Sequence, residues 1–360
     1  MARRYLGAMA AAVLATGLAA SAVQAQDPVK AAWIYVGPVG DFGWSYQHDQ
    51  GRLAVEAALG DAVETTYVEN VAEGADAERV IRQLAASGNQ IIFTTSFGFM
   101  NATVNVAEQF PDVKFEHATG YIRSDNLSTY MARFYEGRMV AGHIAGMMTE
   151  SNIVGYIASF PIPEVVRGIN SFMLEAQKVN PDIEVKVIWA NTWYDPGKEA
   201  DAARALIDQG ADIISQHTDS PAALQVAQER GVYGFGQASD MAPFAPDAQL
   251  TALVDNWNQY YIDRAQAVID GTWESTDTWG GMDYGMVELA PFNTTAIPAD
   301  VLAEAEALAA QIKAGEVHPF DGPIVNQAGE QVIGEGEQLT DEQILTMDWY
   351  VQGIDDQLPN

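Results

Sequence analysis

The sequence predicts an α/β protein of two lobes, each a parallel sheet with helices on both faces. From Lys30 onward, short β-branched runs alternate with amphipathic helical stretches, in units of about 25–30 residues that specify parallel pairing. The roughly nine units fall into two similar sets. The chain is also long for a single core: its 360 residues favour two domains.

The first set runs from Lys30 to about Ser128, with strands expected at Ala31–Val36, Glu64–Glu69, Gln90–Thr95 and Val113–Ala118. Val80, Ile81, Leu84 and Ala85 share one face of a helix between them. The second set runs from about Glu136 to Thr251. Its strands are expected at Ile153–Ala158, Glu184–Ala190, Asp212–Gln216, Val232–Gly236 and Thr251–Val254. Val165, Ile169, Phe172, Met173, Ala176 and Val179 form the apolar face of a helix in this set. Several helices stop on a glycine just before the next strand, at Gly88, Gly210 and Gly231. Beyond Asp255 the pattern gives helices at Trp257–Asp270 and Ala299–Ala314, then a strand-and-turn tail.

No long Pro- or Ser-rich linker divides the sets, so two lobes joined by three short crossovers fit better than two independent beads. The expected division is a leader at 1–25, a first lobe of 26–130 plus about 255–285, and a second of about 131–254 plus part of 286–325. A tail, 326–360, packs on the lobes. Ligands of such sheets lie at the carboxyl ends of the strands, which makes the loops after each strand the pocket candidates.

The leader reads as a cleavable secretory signal. Arg3 and Arg4 precede the mostly apolar run Leu6–Ala20, and Val23-Gln24-Ala25 supplies the residues before the cut. That run is too short and too Ala-rich to span a bilayer comfortably, and no lipobox cysteine follows, so an exported, soluble, untethered product is expected. The balance of 18 Lys+Arg against 49 Asp+Glu, a net charge of −31, repels phosphate backbones and anionic lipids, which argues against nucleic-acid partners. The absence of cysteine excludes disulfides, thiol nucleophiles and Cys-ligated metals.

The loop Val36–Tyr46 is rich in glycine, but its Gly-x-x-Gly-x-x-Gly spacing fits neither a dinucleotide fingerprint nor a P-loop. What remains is an aromatic, Trp44, at a helix N-terminus, either core packing or a face offered to a flat ligand. Other strand ends are similarly furnished: Phe97 after the third strand, then Phe160, Trp193, His217 with Asp219, and Asp240 in the second set. Aromatic faces with a few carboxylates and amides suit a planar ligand with polar edges. His217 beside Asp219 has the chemistry of an acid–base pair, yet no nucleophile elbow or zinc helix accompanies it, and no EF-hand spacing occurs. Neither a catalytic step nor a metal or cofactor is expected.

The stretch Asp41-Phe42-Gly43-Trp44-Ser45-Tyr46-Gln47-His48-Asp49-Gln50-Gly51 resembles the opening motif of the basic membrane protein (BMP) family of ABC-transporter substrate-binding proteins. Ala107–Phe115, Tyr135-Glu136-Gly137, Asp208–Ile214, Phe320–Ile324 and Met347–Val351 follow in the family's order. The resemblance covers essentially the whole mature chain. It implies a type I periplasmic-binding-protein fold and capture of a purine or nucleoside for an ABC importer, whose membrane permease would be the partner; with the signal peptide, a periplasmic monomer is expected. It also places Trp44 at the family's stacking aromatic. The family's ribose-holding Asp, however, is Ala238 here, its Lys in the crossover strand is Asp255, and the Asn of its opening motif is Ser45. Ribose hydroxyls buried without acceptors would each cost about 1–3 kcal/mol. The expected ligand is therefore a free purine base, such as adenine, hypoxanthine, xanthine or guanine. Trp44, Trp193 and Phe97 would supply aromatic surface, and His217, Asp219 and Asp240 polar contacts. A nucleoside, or another small polar solute on the same fold, is the alternative; a secreted hydrolase lacks its Asp-rich calcium loop. Transport and ligand sensing share this binding chemistry.

Overall fold

The computed structural model describes residues 27–40, 42–354 and 356–359; the expected signal peptide lies outside them. The first lobe is built from β1 (Val29–Ile34), α1 (Gly43–Leu59), β2 (Val63–Val68), α2 (Ala75–Ala86), β3 (Ile91–Thr94), α3 (Met100–Ala107), β4 (Lys114–Ala118) and β5 (Leu127–Ala132). The chain then builds α4 (Phe134–Met148), β6 (Ile153–Ala158), α5 (Pro163–Val179), β7 (Glu184–Trp189), α6 (Pro196–Asp208), β8 (Ile213–Gln216), α7 (Ala222–Arg230), β9 (Tyr233–Ala238) and β10 (Gln249–Asp255). It returns through α8 (Asn258–Asp270) and β11 (Asp277–Gly280), then crosses again into β12 (Val287–Leu289) and α9 (Ala299–Lys313). β13 (Ile324–Val325), β14 (Gln331–Ile333) and α10 (Asp341–Leu345) form the tail.

One sheet has the order β11-β5-β4-β3-β1-β2 and is parallel throughout. The other has the order β12-β10-β9-β8-β6-β7, parallel except for the antiparallel β10–β12 pair. Burial explains the strand sequences. The inner strands β3 and β8 are buried at every residue and read as continuous runs, whereas β2 and β7, each the last strand of its sheet, are less covered, β2 mixing buried with exposed positions and β7 buried with half-buried ones. The tail covers part of β7: Ile354 bridges Val185, and Asp356 accepts from the Val187 amide at 2.7 Å.

β5 is a strand that periodicity missed. Leu127–Ala132 carries Ser128 and Thr129 where a buried strand would ordinarily carry aliphatics. Both hydroxyls are nonetheless satisfied, Ser128 by Arg264 Nη2 at 2.9 Å and Thr129 by Asp277 at 2.9 Å. In the second lobe α4 and α5 pack closely because α4 carries glycine at the contact. A Cβ on Gly142 would lie 2.2 Å from the Phe172 carbonyl oxygen.

The chain passes between the sheets three times, between β5 and α4, between β10 and α8, and between β11 and β12. The passages are tied together. Arg133 N donates to Gly280 O at 2.8 Å and Asn256 N donates to Met286 O at 3.0 Å. The Glu136 carboxylate accepts from Met282 N at 2.6 Å.

Candidate ligand site

The carboxyl ends of the two sheets face each other across a cavity containing about 370 Å³ of atom-free space, its mouth included. Val36, Trp44, Ser96, Phe97 and Thr119 line it from the first lobe. Ile162, Glu164, Trp193, His217, Asp219 and Gln237 line it from the second.

The N-terminus of α1 enters this space without a cap of its own, since Phe42 contributes no side-chain bond. The opposite lobe supplies the acceptors. Ser239 Oγ accepts from Gly43 N at 2.6 Å, and the carboxyl of Asp219 accepts from the Trp44 amide. Only glycine fits at position 43: its φ is +79°, and a Cβ there would lie 2.3 Å from the Asp219 carbonyl oxygen. Trp44 is thereby delivered to the cavity and fixed. Its Nε1 donates to Thr95 O at 2.6 Å, and its ring packs edge-on against His48 at 4.4 Å and Trp257 at 5.7 Å.

Trp193 comes from the loop after β7. Its ring lies 5.0 Å from that of Phe160, and its Nε1 donates across the cleft to Glu73 Oε1 at 3.1 Å. Glu73 also accepts from Ser96 Oγ at 2.6 Å, so a carboxylate of the first lobe joins both walls at the rim.

His217 follows β8 and is 4% exposed. Burial pushes its imidazole well below the ordinary range, and Arg138 and Arg167 push the same way, so the ring is neutral. Among the described residues its Nδ1 has no partner. Burial pushes the Asp219 carboxyl well up, with Glu199 adding to the rise and the Trp44 amide opposing it. Fully buried Arg138 holds the floor, donating to Ser215 Oγ at 3.1 Å, to Gln216 O at 2.7 Å and to the side chain of Gln237.

Of the six residues expected at the site, Trp44, Phe97, Trp193, His217 and Asp219 line this one cavity, and Asp240 does not. The Asp240 carboxylate serves the turn after β9, accepting from Ala242 N at 3.0 Å and Gln249 Nε2 at 2.7 Å. One lining acid escaped sequence reasoning, and a second was named there without its surroundings. Glu164 stands in the first turn of α5, where an acidic residue reads simply as favourable to the helix dipole. Asp255 ends β10 wholly buried, and among the described residues neither of its carboxyl oxygens has a partner. Burial, then Glu164 and Asp219, push its carboxyl well up, with Arg138 opposing. Its replacement of the family's Lys was visible in the sequence, but its isolation from any cation within ion-pair reach was not. Ala238 holds φ 59°, a left-handed conformation, at the end of β9 and is fully buried. Among the described residues no group of three or more acids or histidines is arranged to hold a metal.

Two largely parallel sheets joined by three short passages around an aromatic-walled cavity define the type I periplasmic-binding-protein fold. An ABC-transporter solute-binding protein from Aeropyrum pernix shares the fold, with a TM-score of 0.70 over 82% of this chain and 94% of that one at 18% identity. Residues 28–316 match the family model described as Bmp, ABC transporter substrate-binding protein PnrA-like, and the chain belongs to that family. It is 61% identical to a purine-binding protein of Brucella abortus over 98% of this chain and 100% of that one. It is 39% identical to a putative ABC transporter glucose-binding protein of Haloferax volcanii, over 93% and 82% respectively. The family model describes substrate-binding proteins of ABC transporters, which bind a small molecule and work with a permease. No helix among the described residues is long and apolar enough to cross a membrane.

Proposed function

We propose that this protein captures a purine in the periplasm as the free base and delivers it to an ABC importer. The observation that carries the reading is the cavity itself: Trp44 and Trp193 enter it from opposite lobes, and polar groups of the second lobe, His217, Asp219 and Gln237, stand between them. A flat heteroaromatic ring fits such surroundings, with faces to stack and edges to hydrogen-bond. The purine-binding relative supports the ligand class. Fully buried Ala238, offering only a methyl group where the family carries a ribose-holding Asp, supports a base over a nucleoside.

A thermal-shift screen of ligand-stripped, refolded protein against purine bases, nucleosides, pyrimidines, sugars and amino acids tests this. A ligand at 100 times its Kd stabilises by about 2.7 kcal/mol, which reads as several degrees. Bases are expected to raise Tm and nucleosides to leave it unchanged. Response to nucleosides alone would keep a purine ligand and reject the free base, while silence from every purine would reject the ligand class.

A further inference from the structure

Within the cavity described above, the polar groups are unequally committed. Asp219 already accepts the Trp44 amide. Gln237 is held by Arg138, and His217 is neutral with Nδ1 unpartnered. Glu164 is different: 8% exposed, it lines the cavity with only the Arg167 guanidinium near it, Nη2 standing 3.9 Å from Oε2, beyond hydrogen-bond distance. Among the described residues no Lys or Arg lines the cavity wall. Behind it Asp255 adds a further buried carboxyl with both oxygens bare. Glu164 thus faces the cavity as an acceptor without a hydrogen-bonded donor.

We propose that Glu164 is the specificity-determining residue of this cavity, an acceptor that selects a base presenting N–H groups, an aminopurine, over one presenting carbonyl oxygens. The inference rests on the purine reading of the site. An amino group or ring N–H gives buried carboxyl oxygens the donors they lack. A dioxopurine instead sets its carbonyl oxygens against the Glu164 oxygens. Burial lifts the Glu164 carboxyl, as expected of an acid whose donors are missing.

The test is titration calorimetry of ligand-stripped wild type, Glu164→Gln and Glu164→Asp with adenine, hypoxanthine and xanthine, with melting curves to establish that each variant folds. Wild type is expected to bind adenine at least ~10-fold tighter than xanthine, the worth of one charge-assisted hydrogen bond. The ratio should collapse toward unity in Glu164→Gln, whose amide offers a donor as well as an acceptor, and be largely kept in Glu164→Asp. Xanthine binding as tightly as adenine to wild type would overturn the inference whatever the variants do, as would an unchanged ratio in folded Glu164→Gln. Both results would leave the purine reading standing. Failure of wild type to bind any of the three bases would instead sink that reading, and this inference with it.

Discussion

At the scale of single residues, Trp44 shows how a stacking surface is made rigid. Its indole is fixed by the Thr95 carbonyl and by edge contacts to His48 and Trp257, so little conformational freedom is left to lose when a ring stacks on it. Trp44→Ala should weaken base binding by roughly 1–3 kcal/mol, about 5- to 150-fold in Kd by calorimetry, while Trp44→Phe retains most of the affinity. Unchanged affinity in Trp44→Ala would assign the residue to packing alone. Trp44 was legible in the sequence because a large aromatic in a Gly-rich loop after a strand stands where parallel sheets bind their ligands. Asp240 looked equally eligible, but its carboxylate is consumed by its own turn. Glu164 was not legible, since a first-turn acid and a ligand-facing acid are the same letter until the cavity wall is known.

At the scale of elements, the passages between the lobes carry a titratable tie. Glu136, in the first turn of α4, accepts from Met282 N in the third passage, and burial lifts its carboxyl to about 7, with the Met282 amide and Arg133 opposing and Asp283 assisting. The sign follows from linkage. A carboxyl raised above its ordinary 4.5 favours the folded state fully below about pH 4.5, and that contribution is lost as pH rises through about 7. A shift of that size corresponds to about 3 kcal/mol. Glu136→Gln should therefore flatten the pH dependence of stability between about 4.5 and 7, measured as urea-unfolding free energy at several pH values. An unaltered profile would show that the carboxyl is not buried in its ionised form. The strands were legible by the same local reading of side chains. β-branched runs revealed most of them, and β5 stayed hidden because Ser128 and Thr129, paired with groups on other elements, interrupt its aliphatic run.

At the scale of the whole molecule, the lobes are held shut by bonds that exist only across the cleft. Ser239 caps Gly43, Gln47 Nε2 donates to Asp255 O at 2.5 Å, and Glu73 accepts from Trp193. Each cross-lobe bond is worth about 1 kcal/mol net, so Ser239→Ala should raise Kd by about fivefold, mainly through faster dissociation. Glu73→Gln should do the same at the rim. Stopped-flow dissociation rates, with small-angle scattering to measure the lobe opening of the empty protein, check both. Rates equal to wild type would mean these bonds contribute equally to open and closed forms.

The sequence by itself determined the α/β alternation, the helix stops at Gly88, Gly210 and Gly231, the strand-end loops that line the cavity, and the family. All of these are local signals, written in periods of two and 3.6 and in turn residues. Only the tertiary structure decided which polar groups are free for a ligand. Asp219 and Ser239 cap a helix of the other lobe, Asp240 closes its own turn, and Glu164 and Asp255 are left with unspent acceptors. The reason is physical: a side chain's availability is what remains after its neighbours have used it, and those neighbours lie up to 196 positions away in the chain.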